Sequence, residues 1–585
     1  MTDRPATLDP LTLPLRGSRL IEASAGTGKT WTIAALVLRL VLGHGTPRAL
    51  MPGEILVMTF TKAATRELSE RIRQRLVQAA ACFRGEIAPP EGDGFLADLL
   101  ASYAEGAGEG GRAAAAWRLA MAAEAMDDAA VHTLDAWCQR MLREHAFDSG
   151  CLFDEELQAD ESAQRDEAAR DYWRQQVYPL ADEPLAVVLG LWPDVQALLR
   201  SAQPLLAEER PPGAEPGTLA EALAQATARR QAALAALKAG WGGRAAAMRA
   251  WLDPLWDAKA KPIDGRKLGP AHGRRWLEVL AAWAADPAAD RLELGAGALR
   301  LTPAGVREAL KAPRELPPVF ADFEALMADL SRLPDPEEAL RRHAAAHIAQ
   351  RLQALKAQAG TFGFADLLAR LDDALDEATQ GAAARRLRQR ILAQYPVALV
   401  DEFQDTSPRQ LSILDRLYGI ANADDATRTL LMIGDPKQAI YGFRGADIHC
   451  YLRARRATVG RHHVLGTNHR STRALVEAVN GCFAAAEARP GPGAFLFRTG
   501  GGDSELPFVA VEAQGRAERF VGAEGEVPAL TFDLDPELRG RPDSRERHAA
   551  RAAERVLRWL ADPAAGFAED GAPLRRLRPA DIAVL

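Results

Sequence analysis

No run of about 18 apolar residues occurs anywhere in the 585-residue sequence, so no membrane-spanning helix is expected. The most apolar helix candidate, Ile33 to Leu42, is interrupted by the charge of Arg39. The N-terminus, MTDRPATLDPLTLPL, lacks a basic start followed by an apolar core, so no secretory signal is expected there. Cysteine is scarce: Cys82, Cys138, Cys151, Cys450 and Cys482 are odd in number and scattered. None forms a CxxC pair, so neither a disulfide framework nor a zinc site is expected. Together these absences point to a reduced, cytoplasmic protein. Excess positive charge is missing too: 72 Lys and Arg stand against 79 Asp and Glu, for a net charge of −7. That disfavours a dedicated basic nucleic-acid-binding domain. It leaves open a single strand held in a local groove with stacking aromatics.

The chain is too long for one hydrophobic core, and its length predicts three or four domains or subdomains. Four short apolar segments each end in a Gly- or acid-containing loop followed by helix-like sequence. They are Leu20–Ala23, Ile55–Thr59, Val397–Val400 and Leu430–Gly434. Buried strands alternating with helices predict an α/β fold with a parallel sheet, whose ligands lie at the carboxyl ends of the strands. Residues 151–355 read differently, as a large helical insertion rich in Ala, Arg, Leu and Glu. Seven of the eleven tryptophans fall between Trp173 and Trp283. That many large rings predicts a packed helical body, not a low-complexity tract. The expected division is therefore 1–150, the insertion 151–355, a return at 356–460, and a second α/β unit from 461 to 585. Within the last part, 491–546 reads as loop-heavy and 548–560 as helix. The DIAVL at 581–585 reads as a buried strand, with the sequence as an N-terminal portion.

Residues 23–30 read ASAGTGKT after the strand-like RLIE. Gly26 and Gly28 let backbone N–H groups curl around a phosphate without Cβ clashes. The helix that follows aims its positive end at the same anion. Ala23, Ser24, Ala25, Gly26, Thr27, Gly28, Lys29 and Thr30 thus form a candidate phosphate loop, with Ala23 in place of the usual first glycine. Lys29 supplies charge for the β- and γ-phosphates, and the Thr30 hydroxyl is a candidate Mg²⁺ ligand. By itself the loop implies nucleotide binding and nothing more.

VALVDEFQDT, 397–406, puts Asp401 and Glu402 at the end of a buried strand. Adjacent carboxylates there are costly unless a cation or a water uses them. Asp401 is the candidate partner of Thr30 on Mg²⁺, and Glu402 the candidate that polarises the attacking water. Gln404 and Asp405 look like links to the neighbouring segment. In LLMIGDPKQAIYGFRGADI, 430–448, Gln438 follows a strand end and is a candidate γ-phosphate sensor. Tyr441, Phe443 and Arg444 follow within six residues, and rings with a guanidinium suit base stacking. Core packing is the rival reading for the rings.

ASAGTGKT, TFTKAATRELSERI (59–72), DEFQDT, GDPKQAIYGFRGAD and TNHRS (467–471) occur in the order of the UvrD/Rep-type superfamily 1 helicase motifs. The sequence resembles that family over more than 400 residues. The stretches LIEASAGTGKTWTIAALVLRLVLG, CQRMLREHAFDSGCLFDEEL (138–157) and FADLLARLDDAL (364–375) are similar to its RecB-type branch. The resemblance implies RecA-like P-loop NTPase domains, the second incomplete, and a helical insertion between their strands. It implies ATP with Mg²⁺, 3′→5′ movement on single-stranded DNA with duplex unwinding, and RecC-like and RecD-like partner subunits in double-strand break repair. It places Gln438 and Arg470 at the γ-phosphate, and Phe60, Thr61, Tyr441, Phe443 and Arg444 along the single-strand path.

Several departures matter. The family's T-x-H-x-F pattern stands here as Thr133, Leu134, Asp135, Ala136 and Trp137. Trp137 is then the expected stacking ring, and an acid at Asp135 disfavours phosphate contact. His469 occupies the aromatic position of TNHRS. The adenine-reading Gln of many relatives is absent before the loop. The family's later motifs and the nuclease domain of RecB-type proteins are also not found. The alternative readings are an ATP-binding fragment without translocation, or an AddA- or UvrD-like repair helicase.

Overall fold

The computed structural model describes residues 5–145, 156–158, 160–206, 217–442, 445–498 and 504–585. The chain divides into two compact units, one formed by residues 1–157 with 363–585 and the other by 158–362.

The first unit is built on a seven-stranded sheet. Its strands are β1 (Ala6–Thr7), β2 (Gly17–Ala23), β3 (Ile55–Thr59), β4 (Val131–Thr133), β5 (Val397–Val400), β6 (Thr429–Gly434) and β7 (His462–Leu465). The spatial order is β1-β7-β2-β6-β5-β3-β4, and every neighbouring pair runs parallel. β3 and β5 are buried at every residue, as parallel strands covered on both faces must be. Their continuous apolar runs, ILVMT and VALV, follow from that burial. This is the α/β parallel-sheet architecture predicted from the sequence. β7 is a correction: the sequence places 461 at the start of a second unit, whereas His462–Leu465 pairs with β2 in this sheet.

Helix α1 (Lys29–Leu42) follows β2 and packs Ile33, Leu36 and Leu40 into the core that also holds Ile21, Val57, Leu399 and Ile433. The charge that interrupts this helix is itself buried. Arg39 donates to Pro10 O at 2.7 Å and Leu13 O at 2.8 Å, tying the N-terminal segment to the sheet. Burial lowers its guanidinium to about 10. Helix α2 (Lys62–Arg84) follows β3, and α3 (Leu134–Glu144) follows β4. Later come α4 (Pro408–Tyr418), α5 (Ile448–Ala457) and α6 (Arg473–Ala488).

Beyond α6, Arg519–Gly522, Gly525–Glu526, Gly566–Ala568 and Arg575–Arg576 form a small antiparallel sheet. Trp559, on the helix Arg541–Ala561, meets Phe520 edge-on at 5.2 Å. The strand expected at 581–585 is not formed: Ile582–Leu585 lies outside any strand and Val584 is exposed. With no paired neighbour, an apolar run gains nothing from extending as an isolated strand.

The second unit is helical, and its tryptophans account for much of its packing. Trp241 meets Phe323 and Trp251 meets Phe320, both edge-on, in a core shared with Met248, Leu252 and Trp283. A second core gathers Tyr172, Trp192, Leu198, Leu340 and Ile348. Among the described residues no single helix is long and apolar enough to cross a membrane. The one neighbouring helix pair of that composition is bent by 68° between Leu191 and Val195. None of the four described cysteines is in a disulfide, and no described cluster of His, Cys, Asp or Glu has the makings of a metal site of three such residues.

Candidate functional site

β2 ends at Ala23, and the loop that follows needs two left-handed residues, Gly26 at φ 77° and Gly28 at φ 91°. Only glycine adopts these without cost. The Thr27 hydroxyl donates to Ser24 O at 2.7 Å and closes the turn. Gly28 then starts α1 without a side-chain cap, so the first-turn N–H groups face the loop. Lys29 and Thr30 are the first two residues of that helix, both half-buried.

The carboxylates sit one strand removed, at the end of β5, with β6 between β5 and β2. Glu402 takes the left-handed conformation, φ 52°, a strained geometry that side chains rarely accept. Its Oε2 receives the Lys29 ammonium at 2.6 Å. Residues 373 positions apart are thereby joined at one point. Burial, then the Glu402 charge, raises the Asp401 carboxyl to about 6. The same two causes raise Asp405 to about 6. Carboxyls held up in this way favour a cation beside them.

β6 carries the next piece. Asp435 is buried at its end and accepts from Gln438 Nε2 at 2.7 Å, while Lys437 lies 3.3 Å from the same carboxylate. The Gln404 side chain accepts from the Asp435 N–H at 2.9 Å and donates to Glu402 at 2.9 Å. Hydrogen bonds therefore run from Lys29 through Glu402, Gln404 and Asp435 to Gln438.

The segment after β7 closes on the loop from the other side. Asn468 Nδ2 donates to Ala25 O at 2.8 Å, and the His469 N–H donates to Gly26 O at 2.9 Å. Asn468 Oδ1 accepts the backbone N–H groups of Arg470 and Ser471. A Cβ on Gly26 would lie 2.7 Å from the Arg470 Cβ, so this contact also demands glycine. Arg470 is thus placed beside the loop with its side chain exposed. Reading the sequence singled out Arg470 and His469 but missed Asn468, the residue that holds the segment in place. The signal was there: an Asn two positions before the Arg favours a side-chain-capped turn.

A sequence profile of the UvrD/REP helicase N-terminal domain matches residues 5–458, which contain the phosphate loop, the acidic strand end and the Gln438 segment. The chain belongs to the UvrD/REP helicase family. It is 37% identical, over its whole length, to the RecBCD enzyme subunit RecB of Escherichia coli K12, and covers 47% of that relative. RecB of Haemophilus influenzae is 31% identical over 99% of the chain, which covers 48% of it. RecB of Mycobacterium tuberculosis H37Rv is 30% identical over 82% of the chain, which covers 30% of it. The chain thus spans about half the length, or less, of these curated relatives.

In this family member the expected strand-path residues are placed differently from one another. Phe60 and Tyr441 come together, ring centroids 5.1 Å apart, both half-buried. Thr61 is exposed and caps α2, its hydroxyl accepting from Ala64 N at 3.1 Å. Trp137 is a correction: it is fully buried and meets Tyr395 edge-on at 6.3 Å. Its α3 packs inward, so this ring belongs to the core and offers no face for a base. Asp135 is half-buried and hydrogen-bonds Gln410 on α4, while burial raises its carboxyl. Phe443 and Arg444 lie outside the described residues.

Proposed function

We propose that this chain is the ATP-driven motor portion of a DNA helicase, moving 3′→5′ on single-stranded DNA within a RecBCD-like assembly for double-strand break repair. RecC-like and RecD-like subunits and duplex DNA are the partners this reading assigns. The observation that carries it is the junction of the phosphate loop, the acidic strand end and the Gln438 segment, with the Arg470 segment seated on the loop.

The loop and the N-terminus of α1 would take the ATP phosphates, with Lys29 on the β- and γ-oxygens. Thr30 and Asp401 would hold Mg²⁺, which supplies charge neutralisation at those oxygens. The raised Asp401 carboxyl fits that donor set. With Lys29 engaged by phosphate, Glu402 is released from its ion pair and can polarise the attacking water. Gln438 and Arg470 would reach the γ-phosphate from β6 and from the segment after β7. Its loss would be felt on both sides at once, which is the kind of ligand-dependent closure that drives a stepping cycle. Phe60 and Tyr441, on the loops after β3 and β6, would pass that change to stacked bases. Thr61, Phe443 and Arg444 complete the proposed strand path, and Trp137 is left out of it.

Glu402→Gln tests the assignment. Tight ATP binding with hydrolysis slowed by about 10²- to 10⁴-fold is expected for loss of a general base. Hydrolysis at the unsubstituted rate would remove Glu402, and with it the motor reading of the junction.

A further inference from the structure

One side chain of the acidic segment is used by none of the roles above. Gln404 is 2% exposed, and its amide has three partners. Nε2 donates to Glu402 Oε2 at 2.9 Å and to Asp405 Oδ2 at 3.2 Å, and Oε1 accepts from the Asp435 N–H at 2.9 Å. The polarity is fixed by chemistry. A backbone N–H can only donate and ionised carboxylates can only accept, so a flipped amide would face like against like at every partner.

The surroundings are shaped around it. A Cβ on Gly434 would lie 2.7 Å from Gln404 Oε1 and 3.1 Å from the Gln404 backbone N. β6 and the turn after β5 therefore meet at backbone distance through this one side chain. On the far side Asp435 holds Gln438 at 2.7 Å. On the near side Glu402 sits in a left-handed conformation that needs outside support. Lys29 gives part of that support through its ion pair. Once Lys29 turns to a phosphate, Gln404 still holds the carboxylate.

We propose that Gln404 is a positioning residue that aims the Glu402 carboxylate and ties it to Asp435 and Gln438, so that hydrolysis and the coupling segment respond together. This rests on the reading of Glu402 given under Proposed function. Gln404 acts through Glu402 and is assigned no contact with the phosphates.

The test is steady-state ATP turnover by the 585-residue chain with single-stranded DNA, comparing Gln404→Met, Glu402→Gln and the double variant. Methionine keeps the length and removes every hydrogen bond. The expected result is kcat lowered about 10- to 100-fold with KM for ATP within about twofold. The double variant should be no slower than Glu402→Gln alone, because two residues acting through one carboxylate are not additive. Turnover by Gln404→Met at the unsubstituted rate overturns the inference while leaving the motor reading standing. Losses that multiply in the double variant also overturn it, since they mark a general structural role. No turnover by the unsubstituted chain with DNA overturns the motor reading itself, and this inference with it.

Discussion

Asp401 and Trp137 are both substantially buried, and burial means opposite things for them. Ionising a carboxyl moved from 3.8 to about 6 costs the folded state roughly 3 kcal/mol. Because the folded value is raised, the associated stability is full below about pH 4 and is lost as pH rises through about 6. In chelator at pH 8, Asp401→Asn should therefore be more stable to denaturant by up to roughly 3 kcal/mol. The gain should vanish near pH 4. A pH-independent difference between the two proteins would contradict the burial argument. Trp137 gives the converse case: Trp137→Ala should cost about 3–5 kcal/mol of stability, the usual cost of emptying a core aromatic site. Single-strand affinity, measured well below the melting temperature, should not change, and a selective loss of affinity would restore the stacking role. The sequence showed that position 137 is aromatic, and nothing local distinguished a ring in the core from one on a surface. Lys29, Glu402 and Gln438 were legible because each stands at a fixed offset from a strand end. The local capped turn of Asn468 had a signal in its spacing to Arg470, but its bond to Ala25, 443 positions away, had none.

At the scale of elements, β3 and β5 were read at their observed bounds because continuous apolar runs mark strands buried on both faces. β1, β4 and β7 were missed. They are two to four residues long, and VHT and HHVL carry histidines at half-exposed positions. Such strands sit at or near sheet edges, where pairing, not hydrophobicity, decides. The reverse error, a strand at 581–585, came from trusting an apolar run with no pairing partner. The phosphate loop supplies the prediction at this scale. Gly26→Ala meets both a φ of 77° and the Arg470 Cβ, whereas Gly28→Ala meets the φ of 91° alone. Both should weaken ATP binding, each by at least the roughly 1–2 kcal/mol of a left-handed alanine. Gly26→Ala should be the more severe in equilibrium nucleotide titrations. The opposite order would mean that the segment after β7 does not rest on the loop in solution.

On the scale of the whole molecule, the two units have separate cores, and the residues of the proposed nucleotide site lie in the unit formed by 1–157 and 363–585. Scanning calorimetry should therefore resolve two transitions. A non-hydrolysed ATP analogue at about 100 times its Kd should stabilise one of them by roughly 2.7 kcal/mol and leave the helical unit unmoved. A single transition that shifts as a whole would mean the units melt as one. Net charge also acts at this scale. On the proposed function, a chain with pI near 6.0 holds DNA through a local path, so affinity should fall with salt less steeply than for a basic protein making many phosphate contacts.

The proposed tie between nucleotide hydrolysis at Lys29 and Glu402 and single-stranded DNA runs through Gln438, Tyr441 and Phe60. It is tested most directly by steady-state ATP turnover with increasing oligodeoxythymidylate, comparing the unsubstituted chain with Tyr441→Ala and Lys29→Ala. Strong stimulation by DNA is expected in the unsubstituted chain. Largely lost stimulation with preserved nucleotide binding is expected in Tyr441→Ala, and no turnover in Lys29→Ala. Turnover that ignores DNA, or full stimulation in Tyr441→Ala, would contradict it.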